Sequence, residues 1–136
     1  MPKGIAIIDW NDEIGTVLRY IYPSSIELST RDILQIYTSQ TFGDIKNKRF
    51  STFSTDNIKL ASYYSGEETK TMLILLLTMN EIPDIFEYSL KRSYKKIFDC
   101  NIEDQSLIIN NLMKKFEAIS NTFKPLIKKI YNTIEQ

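Results

Sequence analysis

The chain has 136 residues, enough for one domain with a sizeable buried core. Its 17 Lys and Arg balance 17 Asp and Glu, and it contains one cysteine and no histidine. These counts exclude Ser-His-Asp and Cys-His catalytic sites, His-ligated metal centres, zinc fingers, Cys-ligated clusters and a disulfide within the chain. Zero net charge also argues against a protein built mainly to hold nucleic acid.

Residues 4–10, GIAIIDW, are apolar and β-branched and predict a strand. The turn formers Asn11, Asp12 and Gly15 follow, and residues 16–22, TVLRYIY, make a second β-rich run that Pro23 ends. Two such runs joined by a short Gly-containing segment predict a β-hairpin. Ser29 and Asp32 mark a helix start, as N-cap and first-turn acid. Ile33, Ile36, Tyr37 and Gln40 then share a face and Gly43 is a stop, predicting a helix near 30–41.

Residues 48–56 and 58–65 are β-compatible runs around Asp56-Asn57, and Gly66-Glu67-Glu68 marks the next turn. Residues 70–79, KTMLILLLTM, form a further run that is unbrokenly apolar from Met72 to Leu77. Successive side chains of a strand point to opposite faces, so an unbroken apolar strand must be covered on both. That predicts three layers, with helices above and below the sheet.

From Ile82 the apolar period turns helical, through Ile85, Phe86, Leu90, Tyr94 and Ile97, with Pro83 in the first turn. Asp99-Cys100-Asn101 breaks this helix. Asp104 is the expected N-cap of the last helix, which carries Ile108, Ile109, Leu112, Phe116, Ile119 and Phe123. Pro125 must kink or split it, so residues 125–136 read as a helical extension. The expected fold class is α+β: a single domain over 1–136, a three-layer sandwich with a five-stranded, mainly antiparallel sheet, in the order β-β-α-β-β-β-α-α.

The apolar run at 5–8 is too short for a signal peptide, and Met72–Leu77 is about a third of a membrane span. A lone Cys100 fits a reducing compartment. The expected localisation is cytoplasmic, with at most peripheral membrane contact.

That element order, together with the opening GIAIIDWNDEIGTVLRYIYP of residues 4–23, resembles the longin-domain family, including small stand-alone archaeal members. The resemblance spans nearly the whole chain in element order and about the first twenty residues in sequence. It implies a non-enzymatic protein-interaction module of the kind found in trafficking and small-GTPase regulatory complexes. It also implies a homodimer, or a heterodimer with another longin- or roadblock-type protein, possible contact with a small GTPase, and no cofactor. A SNARE is not expected, since no coiled coil and membrane span follow. The alternative is a small-ligand sensor of PAS- or profilin-like type, which needs a pocket between sheet and helices.

In the longin topology the second strand lies at a sheet edge. Val17, Arg19, Tyr20 and Tyr22 on that strand, with Ile33, Ile36 and Tyr37 on the first helix, are therefore the candidate partner surface. Alternate residues of the same strand can equally pack beneath the helix. Lys91, Arg92, Lys95 and Lys96 form a basic cluster suited to an acidic partner or membrane surface, or to a solvated helix end in which Glu87 pairs with Lys91. Asp9, Asp12 and Glu13 lack calcium-loop spacing and fit a hairpin turn, and neither a catalytic nor a metal site is expected.

Overall fold

The computed structural model describes residues 2–98 and 107–122. The chain is α+β. Its strands are β1 (Gly4–Asn11), β2 (Gly15–Tyr22), β3 (Arg49–Ser54), β4 (Lys59–Tyr64) and β5 (Thr71–Leu77). Helix α1 (Thr30–Thr41) lies between β2 and β3, and a 3₁₀ turn (Pro83–Phe86) leads from β5 into α2 (Glu87–Phe98). Residues 107–122 are helical throughout and are the described part of a third helix, α3. The 3₁₀ turn sits where an unbroken α-helix from Ile82 is expected. Cys100, Asp104, Phe123, Pro125 and the extension over 125–136 lie outside the described residues.

The five strands form one sheet in the order β2-β1-β5-β4-β3, every pair antiparallel. The order places β5 in the centre, and all seven of its residues are buried. Its alternate side chains feed two separate cores. Leu73, Leu75 and Leu77 pack with Ile5, Ile7, Tyr63, with Phe86 of the 3₁₀ turn, and with Leu90, Ile109 and Phe116 from α2 and α3. Met72, Ile74 and Leu76 pack on the opposite face with Ile8, Leu60, Tyr64, and with Ile33 and Ile36 of α1. The double covering expected of an unbroken apolar strand is therefore met by one helix on one side and two on the other.

Local signals fix the helix ends. Ser29 Oγ accepts the Asp32 amide at 3.0 Å while Asp32 Oδ2 accepts the Ser29 amide at 3.2 Å, a reciprocal cap contributing about 1 kcal/mol. Gly43, at φ +81°, turns the chain out of α1 in the left-handed region that glycine tolerates best. The β1–β2 turn is held by Asn11, whose Oδ1 accepts the amides of Glu13 and Ile14 at 2.8 and 3.3 Å.

Two tethers join the layers. Lys48 Nζ donates to Tyr94 Oη at 3.0 Å, tying the segment before β3 to α2; that bond raises the lysine pKa above its ordinary value. Gln40, buried at the end of α1, donates to the Thr52 carbonyl at 3.1 Å and accepts from Ser62 Oγ at 2.8 Å, fastening α1 to β3 and β4.

Gly4 opens β1 where no side chain fits. A Cβ there would stand 2.3 Å from the Tyr22 carbonyl oxygen and 2.5 Å from Ile26 Cδ1. The carbonyl belongs to the neighbouring strand and cannot rotate away. Gly4→Ala should therefore destabilise the fold by roughly 1–3 kcal/mol in urea denaturation, by overpacking. An unchanged midpoint would show that the β1–β2 seam yields freely.

Candidate functional site

β2 ends the sheet, so one side of its backbone faces away from every other strand. Its register against β1 is interrupted: Ile7 pairs with Tyr20 but Ile8 pairs with Leu18, leaving Arg19 as an extra residue in a bulge. The bulge shifts the alternation of faces. Tyr22 and Tyr20 lie opposite Ile5 and Ile7, and Val17 lies opposite Asp9, so all three share the face that α2 and α3 cover. Arg19 reaches the same side, where its Nε stands 3.2 Å from Asp9 Oδ2. Leu18 and Ile21 turn to the α1 face instead. One bulge thus gathers Val17, Arg19, Tyr20 and Tyr22 onto one side of one edge, with Arg19 exposed and the other three half-buried.

The first-helix part of the expected surface is placed otherwise. Ile33, Ile36 and Tyr37 are 7%, 0% and 5% exposed and lie in the core beneath α1, across the sheet from the β2 tyrosines. They cannot form one continuous surface with Tyr20 and Tyr22. The physical reason is the helical period itself: 33, 36, 37, 40 and 41 form the only buried stripe of α1. What α1 leaves at the surface on its apolar side is Leu34, 46% exposed.

Sequence reasoning passed over an aromatic group at the other end of α1. Trp10 stacks on Tyr37, with ring centroids 5.4 Å apart and planes at 13°, and Tyr64 meets Tyr37 edge-on at 6.1 Å. Burial, and then the neighbouring Tyr64, push the Tyr37 phenol well above the usual tyrosine range, so it stays neutral. With Thr38, Thr41 and Ile45 these rings line a small apolar pocket of about 200 Å³. A wider cleft of about 580 Å³ lies at the other end of α1, lined by Lys3, Asp32, Gln35, Asp56, Asn57 and Lys59 among others. The only sign of the aromatic group in the sequence is a tryptophan at the end of the first strand.

Of the three carboxylates near the first turn, Asp9 and Asp12 have separate partners. Asp9 accepts from Thr71 Oγ1 at 2.7 Å and pairs with Arg19. Asp12 accepts the Trp10 indole N–H at 3.0 Å and the Lys70 ammonium at 3.2 Å. The Lys70 bond, then the Trp10 bond, hold the Asp12 carboxyl below the ordinary carboxylate range. Glu13 is exposed in the turn. Among the described residues no three His, Cys, Asp or Glu side chains converge on a point where a metal ion could sit.

Lys91, Arg92, Lys95 and Lys96 are all exposed on α2. The sequence alone could not show that α3 packs against the same sheet face and adds exposed Lys114 and Lys115. Among the described residues, no helix is long and apolar enough to cross a membrane. No protein-family model matches the chain, and neither the curated proteins nor the solved structures contain a match.

Proposed function

We propose that the chain is a non-enzymatic interaction module of the longin type, which dimerises through the β2 edge and contributes to a composite surface for a small GTPase. The observation that carries this reading is the edge itself. Among the described strands β2 has a neighbour on one side only, and its bulge sets Tyr20 and Tyr22 beside Arg19 on one side. Unpaired edges recruit further strands, and Tyr and Arg are enriched where binding energy concentrates. The element order and the layering, one helix on one face and two on the other, are consistent with the longin resemblance. The partner is a second copy or a related longin- or roadblock-type protein. The surface contribution of α1 is restricted to its outer side, since Ile33, Ile36 and Tyr37 are interior.

The test is light scattering on the eluting chain, followed by dilution. The expected mass is that of two chains, or of one chain with its partner after co-expression. Tyr20→Ala should raise the dissociation constant at least about tenfold, as truncating an interface anchor does. A strict monomer at high concentration that captures no partner would overturn the proposal, as would an unchanged dissociation constant for Tyr20→Ala together with Tyr22→Ala.

A further inference from the structure

The zero net charge of the chain conceals an uneven distribution. α2, with Leu90 and Ile97, and α3, with Ile109, Leu112 and Phe116, pack into one core on the same sheet face. Their opposite sides therefore point away from the sheet together. That outer side carries six exposed cations, Lys91, Arg92, Lys95, Lys96, Lys114 and Lys115. Among the described residues of the two helices the carboxylates are Glu87 and the half-buried Glu117. The Glu87–Lys91 pair that would neutralise part of the cluster does not form; among the described residues the ion pairs are Arg19–Asp9 and Lys70–Asp12. Arg92 is instead drawn to Tyr88, donating to its hydroxyl at 3.1 Å with the guanidinium 5.5 Å from the ring centroid.

We infer that the outer α2–α3 face docks onto an anionic lipid surface. Three observations favour a bilayer over other anionic partners. Five of the six cations are lysines, point charges on flexible stems that suit a fluid array of headgroups, whereas fixed carboxylate or phosphate geometry favours the arginine fork. The same face exposes Tyr88 at 68% and Leu107 at 65%, an aromatic and an aliphatic side chain that can enter the interfacial layer. Finally, among the described residues no buried apolar centre lies between these lysines, unlike the desolvated anchor pockets on which protein interfaces concentrate their energy.

The arithmetic decides whether this is enough. Each Lys or Arg held at an anionic surface tightens binding about fivefold, so four such charges give several hundredfold and six give on the order of ten-thousandfold at low salt. The α3 lysines therefore move the face from marginal to substantial attachment. This surface is separate from the β2 edge, and its test reads lipid binding, not mass.

The full chain is sedimented with phosphatidylcholine vesicles and with vesicles containing about one-third phosphatidylserine, at low and at raised salt. The chain should sediment with the anionic vesicles only and be released by salt. Lys91→Glu with Lys95→Glu should weaken binding by at least about 25-fold, the loss of two such contacts. Lys114→Glu with Lys115→Glu is the independent second variant, with the same expectation. Arg31→Glu, on α1 across the sheet, should bind as the parent does. No sedimentation with anionic vesicles overturns the inference, as does equal weakening by Arg31→Glu. Tighter retention on duplex DNA or on polyglutamate than on vesicles also overturns it, by assigning the face to a different anion.

Discussion

Replacing Ile74 or Leu75 by alanine, one at a time, is expected to lower the unfolding free energy by roughly 2–5 kcal/mol in each case. The two residues are neighbours on β5, both 0% exposed, but they point into different cores. Ile74 meets the α1 layer and Leu75 meets the α2–α3 layer. In a sheet with one solvated face, one of two adjacent substitutions would be nearly silent. Here both must leave cavities, because neither layer can collapse inward without moving a helix. Natural domains have only about 5–15 kcal/mol to lose, so either variant alone removes a large share. Chemical denaturation of both variants is the check, and a shift near zero for either one contradicts the double covering.

Glu81→Ala is expected to cost roughly 2–4 kcal/mol, from the loss of hydrogen bonds to a charged group. Glu81 is 5% exposed, and its carboxylate ties together segments 39 residues apart. Oε1 accepts from the Thr78 amide at 2.9 Å and from the Thr78 hydroxyl at 3.0 Å, closing the turn after β5. Oε2 accepts from Ser120 Oγ at 2.8 Å, anchoring α3 at Ser120. Alanine removes the acceptor from the buried Ser120 hydroxyl and from the half-buried Thr78 amide and hydroxyl. Glu81→Gln keeps one carbonyl acceptor and the side-chain shape, so it should recover part of the stability, most directly at the Thr78 turn. Hydrogen exchange separates the two contacts: Glu81→Ala should loosen α3 as well as the turn, whereas Ser120→Ala should loosen α3 alone. Equal stability of Glu81→Ala and the parent would show that the carboxylate pins neither.

Much of this architecture is legible in the residues because the signals there are local. The Ser29–Asp32 cap, the stop at Gly43 and the 3.6-residue stripe of Ile33, Ile36 and Tyr37 each depend on a few consecutive positions. The apolar run Met72–Leu77 announces a strand covered on both faces without any knowledge of its neighbours. The candidate site was less accessible. Tyr37 has the composition of an interface anchor, yet its period assigns it to the core, and residue type misled where spacing did not. The bulge at Arg19 depends on how two strands register, which TVLRYIY does not encode on its own. Lys114 and Lys115 become part of a larger face only once α3 packs on the same sheet face as α2, a tertiary fact. Glu81 reads as a loop acid until Ser120 arrives from α3 to share it.

The sheet order has a consequence for the birth of the molecule on the ribosome. β1 is made first, but its second neighbour in the sheet is β5, so Gly4 must wait for Leu76 before their strands can pair. Until then the nascent chain holds two hairpins, β1–β2 and β3–β4, with no strand joining them. Each exposes an apolar edge awaiting the same missing segment. Closure of such distant contacts is slow, and the waiting edges are open to pairing with other chains. The seven residues of β5 therefore act as a keystone set late. A chain arrested before residue 71 would carry both flanks of the arch, and they would be poised to aggregate instead of to fold.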